Sequence, residues 1–309
     1  MDRTTAETTV SVDGHEGEVL ARVGQHDIIA CRICGFCHAL PLPSPESLER
    51  AYREAYYTEE KPDFLARAGE DQDWAALAQT DRLEIFEKLL EPKRRRLLDI
   101  GCGPGFFLKT AVERGWQAKG IEPSRQAAAH ARGLGIEVVE GFFDADSAET
   151  LGRFDAVHLN NVLEHVPDPV SIIRCARAVL DDGGLICINV PNDFSPFQIA
   201  GRAAVNRHEW WLAPPHHLNY FDFASAAALI ERLGFTVKER TTSFPMELFL
   251  MMGEDYIGND TVGRTCHAKR KRFDLALEGA GLGQTRRAFY AALASAGIGR
   301  EAVVIAVKS

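Results

Sequence analysis

Leu97-Leu98-Asp99-Ile100-Gly101-Cys102-Gly103-Pro104-Gly105 decides the fold. An apolar run ends on an acid, enters a glycine-rich turn and continues into the helical pattern Phe106 to Arg114. Glycine lets a backbone turn sharply and approach a ligand closely. Reading outward, strand and helix patterns alternate. Gln117 to Ile121 is a strand, Ser124 to Leu134 a helix and Glu137 to Glu140 a strand. Phe154 to Leu159, Pro169 to Leu180 and Gly184 to Val190 continue as strand, helix, strand. Upstream, Leu83, Ile85, Phe86, Leu89 and Leu90 form a helical stripe. This alternation predicts a parallel sheet with helices on both faces. Ser225 to Leu233 is a further helix, and Thr236 to Thr242 and Glu301 to Val307 are the two last strands. The stretch of about 55 residues between them is too long for a plain loop and must carry helices.

A bare Gly-x-Gly is shared by dinucleotide folds and by ordinary turns. Two acids sharpen it. Asp99 ends the first strand. Glu122 ends the next, in Gly120-Ile121-Glu122-Pro123-Ser124, where a carboxylate can accept both hydroxyls of a ribose. A dinucleotide-binding dehydrogenase usually adds a third spaced glycine. Here Phe106-Phe107-Leu108 follows Gly105 instead.

On these residues, Arg96 to Asp193 resembles a class I methyltransferase dependent on S-adenosylmethionine (SAM). The likeness extends over about the last three quarters of the chain. It implies an α/β, Rossmann-like sheet, mostly parallel with the last strand antiparallel. Asp99, Gly101, Cys102, Gly103 and Gly105 would line the methionine part of SAM. Glu122, with Pro123 behind it, would hold the ribose. Gly141-Phe142-Phe143 would lie near the adenine. Asn160-Asn161-Val162-Leu163-Glu164-His165 would face the methyl group. Each residue also has a plainer reading. Asp99 could cap the turn, Phe142 and Phe143 could be core, and Glu164 could serve a helix dipole.

Methyl transfer from a sulfonium is an in-line displacement, so alignment and exclusion of water matter most. A base is needed where the acceptor must lose a proton. His165 is one candidate, since histidine titrates near working pH. Trp210-Trp211-Leu212-Ala213-Pro214-Pro215-His216-His217-Leu218-Asn219-Tyr220-Phe221 follows the fifth strand and should overhang the ligand crevice. It offers His216 and His217 as further candidates. Trp211, Asn219 and Tyr220, with Glu164, are candidate substrate contacts. Its tryptophans could equally be packing. Phe244 to Met252 could wall the pocket, and Arg264 to Arg272 holds a basic cluster that reads first as a solvated face.

The remainder divides in two. Residues 1–75 form a small appendage, with strands from Glu18 to Leu40, a proline-punctuated exit and a helix from Ser44 or Ser47 through Leu48, Tyr52 and Tyr56. Residues 76–309 form the SAM-binding unit with a helical insertion at about 245–300. Cys31-Arg-Ile-Cys34-Gly35-Phe36-Cys37-His38 has one zinc-knuckle spacing and no second pair. Cys31, Cys34 and Cys37 with His38 or His26 could complete a site, but ligands so close in sequence crowd one tetrahedral ion. The reading favours a ribbon without metal. The segment also resembles the N-terminal region of a bacterial methyltransferase subgroup carrying Cys-x-x-Cys-Gly-Phe-x-His.

Composition sets the outer limits. The chain has 309 residues, 46% of them hydrophobic and 26% charged, with a net charge of −9. That balance argues against general nucleic-acid binding. Polar residues from Met1 to Gly17 give no secretory or spanning pattern, and seven cysteines, mostly single, suit reduced thiols, so a cytoplasmic chain without a membrane partner is expected. The function expected is methyl transfer to a small molecule, such as a sugar or secondary-metabolite intermediate. Displacement within a SAM-derived adduct, and a SAM-sensing module with a zinc-ribbon adaptor, are the alternatives.

Overall fold

A computed structural model describes residues 9–12, 14–50, 53 and 69–309. The chain opens with β1 (Thr9–Val12), β2 (His15–Val23), β3 (His26–Cys31), β4 (Cys37–Leu40) and a short α1 (Pro45–Arg50). The Ser47 N–H donates to Ser44 Oγ, so Ser44 caps this helix. The expected continuation through Tyr52 and Tyr56 lies outside the described residues. Then follow α2 (Gln72–Leu89), β5 (Arg96–Ile100), α3 (Phe106–Glu113), β6 (Gln117–Glu122), α4 (Arg125–Gly133), β7 (Glu137–Glu140), α5 (Ala145–Leu151), β8 (Phe154–Asn160), α6 (Pro169–Val179) and β9 (Leu180–Pro191). The last part is α7 (Pro196–Val205), β10 (Asn219–Tyr220), α8 (Phe223–Arg232), β11 (Phe235–Thr241), α9 (Glu247–Met251), α10 (Asp260–Gly279), α11 (Gly283–Ser295) and β12 (Glu301–Lys308).

The large sheet has the order β11-β12-β9-β8-β5-β6-β7. Its strands run parallel except β12, which pairs antiparallel with both neighbours. The α/β, mostly parallel architecture and the helical insertion before the last strand are as the sequence implies. Strand alternation splits the core in two. Leu98, Ile100, Val157, Leu159, Ile186 and Ile188 face α6 and α8, meeting Ile173, Ala176, Leu229 and Ile230. Leu97, Ala156, Leu185 and Cys187 face the other way, onto Leu83 and Phe86 of α2 and Leu108 and Ala111 of α3.

The small sheet has the order β1-β2-β3-β4-β10, all antiparallel. Its last strand comes from the segment after α7, far along the chain. Asn219 pairs with His38 and Tyr220 with Cys37. The appendage thus does not close on itself. Phe36 joins the main core and packs on Phe221, ring centroids 4.6 Å apart. Arg232 of α8 donates to the Cys34 carbonyl at 2.9 Å. Among the described residues no helix is long and apolar enough to cross a membrane.

Candidate active site

The carboxyl ends of β5, β6 and β8 floor a cavity of about 490 Å³. That falls within the range of about 300–1,000 Å³ typical of small-molecule sites, and crevices beyond the strand ends of such sheets are where ligands bind. The glycine turn after β5 lines one side. Gly101 has φ +66° and Gly103 φ +52°. A Cβ on Gly101 would meet Val162 Cγ2 at 2.7 Å, so the turn and the segment after β8 can only meet across a glycine.

Glu122 is buried at the end of β6. One carboxylate oxygen accepts the Gly103 N–H and the other the Ser124 N–H, each at 2.9 Å. Burial raises its pKa, against the opposing pull of those two hydrogen bonds. Each oxygen keeps a second lone pair for an outside donor. A vicinal diol facing the cavity could use both.

Behind Asp99 runs a buried polar column that the sequence reading missed. Asp99 lies beside His158 in the β5–β8 register, and His158 Nδ1 is 2.7 Å from Asp99 Oδ1. Arg82 of α2 donates to His158 Nε2 at 3.2 Å and to Asn160 Oδ1 at 2.8 Å. Since Nε2 accepts from Arg82, the imidazole is neutral and its Nδ1–H donates to Asp99. Burial lowers the His158 pKa in the same sense, the Asp99 charge notwithstanding. Asn189 donates to Asn160 Oδ1 at 2.7 Å, and Phe107 stacks on His158 with centroids 3.9 Å apart. The sequence shows His158 only as a lone histidine inside an apolar strand; its place opposite Asp99 appears once β8 pairs with β5.

Of the residues expected around the cofactor, Asp99, Gly101, Cys102, Gly103, Glu122, Pro123, Phe142, Phe143, Asn160 and Asn161 all line this cavity; Gly105 does not. Gly105 sits one step back, where a Cβ would meet Ala131 at 2.6 Å. Asn161 holds φ +54°, a left-handed conformation that asparagine tolerates better than other non-glycine residues and that gathers at functional sites. Arg82, Gln79, Phe107 and His158 are lining residues the sequence did not single out.

The three histidines separate. His165 lines the cavity. Its Nδ1 lies 2.7 Å from the His216 carbonyl oxygen, and a carbonyl only accepts, so Nδ1 carries the proton and Nε2 is the basic nitrogen. His217 meets His165 edge-on, centroids 4.9 Å apart. His216 and His217 do not line the cavity, nor do Glu164, Trp211, Asn219 and Tyr220. These last four correct the expected substrate wall, for strand pairing and packing turn them inward. Asn219 is fully buried: it faces His38 Nδ1 at 2.7 Å and donates to the Leu163 and Val166 carbonyls at 2.9 and 2.7 Å. Tyr220 donates to the His217 carbonyl and accepts the Ala213 N–H. Trp211 packs among Ile28, Ala39, Leu212 and Tyr220. Glu164 is 1% exposed, and its carbonyl accepts from Leu218 and Asn219.

The fold, the glycine turn and the strand-end acid together define a class I nucleotide-crevice enzyme. Residues 70–240 match the family described as "Methyltransferase domain". The chain belongs to that family, in its class I form dependent on S-adenosylmethionine. Among curated proteins it is similar to a ubiquinone biosynthesis O-methyltransferase of Xanthomonas axonopodis pv. citri, 34% identical over 155 residues, covering 48% of this chain and 64% of that protein. A protein of the same name from Ralstonia nicotianae is 32% identical over 109 residues, covering 33% and 46%. The chain thus spans less than two thirds of these relatives' length. Among solved structures it resembles a SAM-dependent methyltransferase from Archaeoglobus fulgidus (TM-score 0.50, 18% identity, covering 77% of this chain and 94% of that one). It also resembles a possible histamine N-methyltransferase from Thermotoga maritima (TM-score 0.50, 17% identity, covering 82% and 100%). At these identities the structures speak for the fold.

Proposed function

We propose that this chain transfers the methyl group of SAM to an oxygen of a small hydroxylated molecule. SAM supplies the electrophilic methyl. The residues present fit it: a glycine turn that excludes side chains, and a buried carboxylate with one lone pair per oxygen left for a diol. In this reading Glu122 holds the ribose hydroxyls, Gly101 and Gly103 let the backbone approach the methionine part, and Phe142 and Phe143 flank the adenine. Asp99 orients the amino-acid end, held in turn by His158 and Arg82. Asn160 and Asn161 form the rim nearest the acceptor.

The observation that carries the reading is His165. It lines the cavity, its Nδ1–H is engaged by a carbonyl, and its Nε2, left unprotonated in that tautomer, lies 3.8 Å from the Glu164 carboxylate. A base so fixed suits removal of a hydroxyl proton as the oxygen attacks. The curated relatives named above are O-methyltransferases, which supports an oxygen acceptor. They give the narrower sugar expectation no support.

Transfer of labelled methyl from SAM to panels of small hydroxylated and aminated molecules tests this. Label should enter hydroxylated acceptors. His165→Gln should lower kcat by about 10²–10⁴ while SAM affinity stays within a few-fold. Label entering amines alone, or a His165→Gln enzyme of unchanged rate, would overturn the proposal.

A further inference from the structure

The head of the molecule gathers four metal-ligating side chains that the site above does not use. His15 begins β2, Cys31 ends β3, Cys34 lies in the following turn and His38 is on β4. One ligand atom from each lies within 4.8 Å of all the others. His15 Nδ1 is 3.5 Å from Cys34 Sγ and 3.7 Å from Cys31 Sγ. In a tetrahedral zinc site, with zinc–sulfur near 2.3 Å and zinc–nitrogen near 2.05 Å, a sulfur–nitrogen edge is about 3.6 Å. The head therefore already has the spacing of the filled site along these two edges.

We propose that His15, Cys31, Cys34 and His38 bind one structural zinc ion, and that the ion braces the segment 163–166 beside the catalytic cavity. The ligand set is two thiolates and two neutral imidazoles, so a divalent ion leaves the site uncharged and its burial inexpensive. The turn is built for it. The Cys34 N–H donates to Cys31 Sγ at 3.4 Å, and the Gly35 N–H donates to the Cys31 carbonyl at 2.9 Å. Gly35 takes φ +79°, the left-handed step that closes this knuckle. The crowding that the sequence suggested arises only if all ligands come from 31–38. Bringing His15 across the β2–β3 pair removes it. Cys37 is not a ligand: as neighbour of His38 on β4 it points to the opposite face, packing beside Ile28 and Trp211. His26 stands at the far end of β3, also outside the four.

The support behind the ligands runs toward the active site. His38 Nδ1 is held by Asn219 Oδ1, which leaves Nε2, buried and without a hydrogen-bond partner among the described residues, as the nitrogen for the ion. A ligating histidine whose second nitrogen is held by an acceptor is the usual way a protein fixes its tautomer and orientation. The same Asn219 donates to the carbonyls of Leu163 and Val166. These flank Glu164 and His165. Phe36 covers the ring of His38 at 4.6 Å and limits water.

The test needs no activity. Full-length protein is stripped with a chelator, given zinc alone or cobalt(II) alone, and assayed for bound metal and for absorption. One ion per chain is expected, with cobalt showing thiolate charge-transfer bands and the strong visible bands of tetrahedral geometry. Cys37→Ser should keep the ion and the spectrum. Cys34→Ser and, separately, His15→Ala should lose the cobalt thiolate spectrum or weaken zinc binding at least 10-fold. Two histidine variants of different burial guard against simple misfolding, so His38→Ala is measured alongside. Zinc removal should also speed amide exchange in 163–166 and 219–220 while that in β5 and β8 is unchanged. Folded wild-type protein that takes up neither metal, or Cys37→Ser losing metal as Cys34→Ser does, would overturn the site. Unchanged exchange at 163–166 would overturn the brace.

Discussion

The floor of the cavity and the head joined to segment 163–166 are built in opposite ways. The floor is local. Asp99, the glycine turn and Glu122 all belong to two consecutive strand–turn–helix units, and a parallel register sets Asp99 beside Gly120 and Glu122 beside Glu140. The head is assembled from distance. His38 and Asn219 are 181 positions apart yet share a hydrogen bond of 2.7 Å. A short motif can position atoms toward a cofactor because the sheet does the alignment. The junction between the head and the main sheet needs a strand borrowed from far along the chain, and its polar residues are consumed in making that junction. The floor should therefore govern cofactor affinity, and the junction should govern stability.

The sharpest way to break this contrast is Asn219→Leu. It orphans two buried carbonyls and the His38 Nδ1–H, each costing about 1–3 kcal/mol. An unfolding free energy lower by about 3–5 kcal/mol is expected in denaturant titration, with SAM affinity changed less than about 5-fold. A large affinity loss at full stability would erase the distinction. Next in size is Arg82→Met. It removes the donor shared by His158 and Asn160 in the floor, so about 2 kcal/mol of stability and about 10-fold in SAM affinity should go together. Calorimetry on the folded variant checks the second part.

The smallest step, taken per pH unit, sharpens the contrast through pH. Asp193 follows β9, where the overhanging segment begins. Burial pushes its carboxyl up to about 8, with Gln198 and Arg300 pulling down and Glu247 pushing up. Unfolded, it titrates near its ordinary value of 3.8. Between those two values the folded chain holds the extra proton, so stability falls as pH rises through the window. Asp193→Asn should remove that loss. Its gain over wild type should be about 0.5 kcal/mol at pH 4 and grow by about 1.4 kcal/mol from pH 5 to pH 6. A gain that shrinks with rising pH would contradict the assignment.

Much of the floor was legible because its signals are contiguous. The strand–helix alternation gave the sheet, and Asp99 and Glu122 stand at strand ends that adjacency alone predicts. His158 and Arg82 were not legible, since each sits inside an apolar pattern and acquires meaning only when β5, β8 and α2 converge. Two helices were overlooked although their caps are written plainly: Asp144 with Ser147, and Ser195 with Gln198, form capping boxes that open α5 and α7. The overhang was misjudged for a different reason. Trp211, Asn219 and Tyr220 are near the crevice in sequence, but pairing with β4 turns Asn219 and Tyr220 into the core and Trp211 packs on Ile28 and Ala39 beside them. His15 carried no local signal at all, lying sixteen positions before Cys31.

Calorimetric titration of the folded protein and of Glu122→Ala with SAM and with S-adenosylhomocysteine bears most directly on the floor. Charged hydrogen bonds of about 1.5–3 kcal/mol each predict micromolar binding by the wild type and a loss of about 100-fold or more in the variant. Equal binding by both proteins, or none by a well-folded wild type, would contradict the assignment of this crevice to the cofactor.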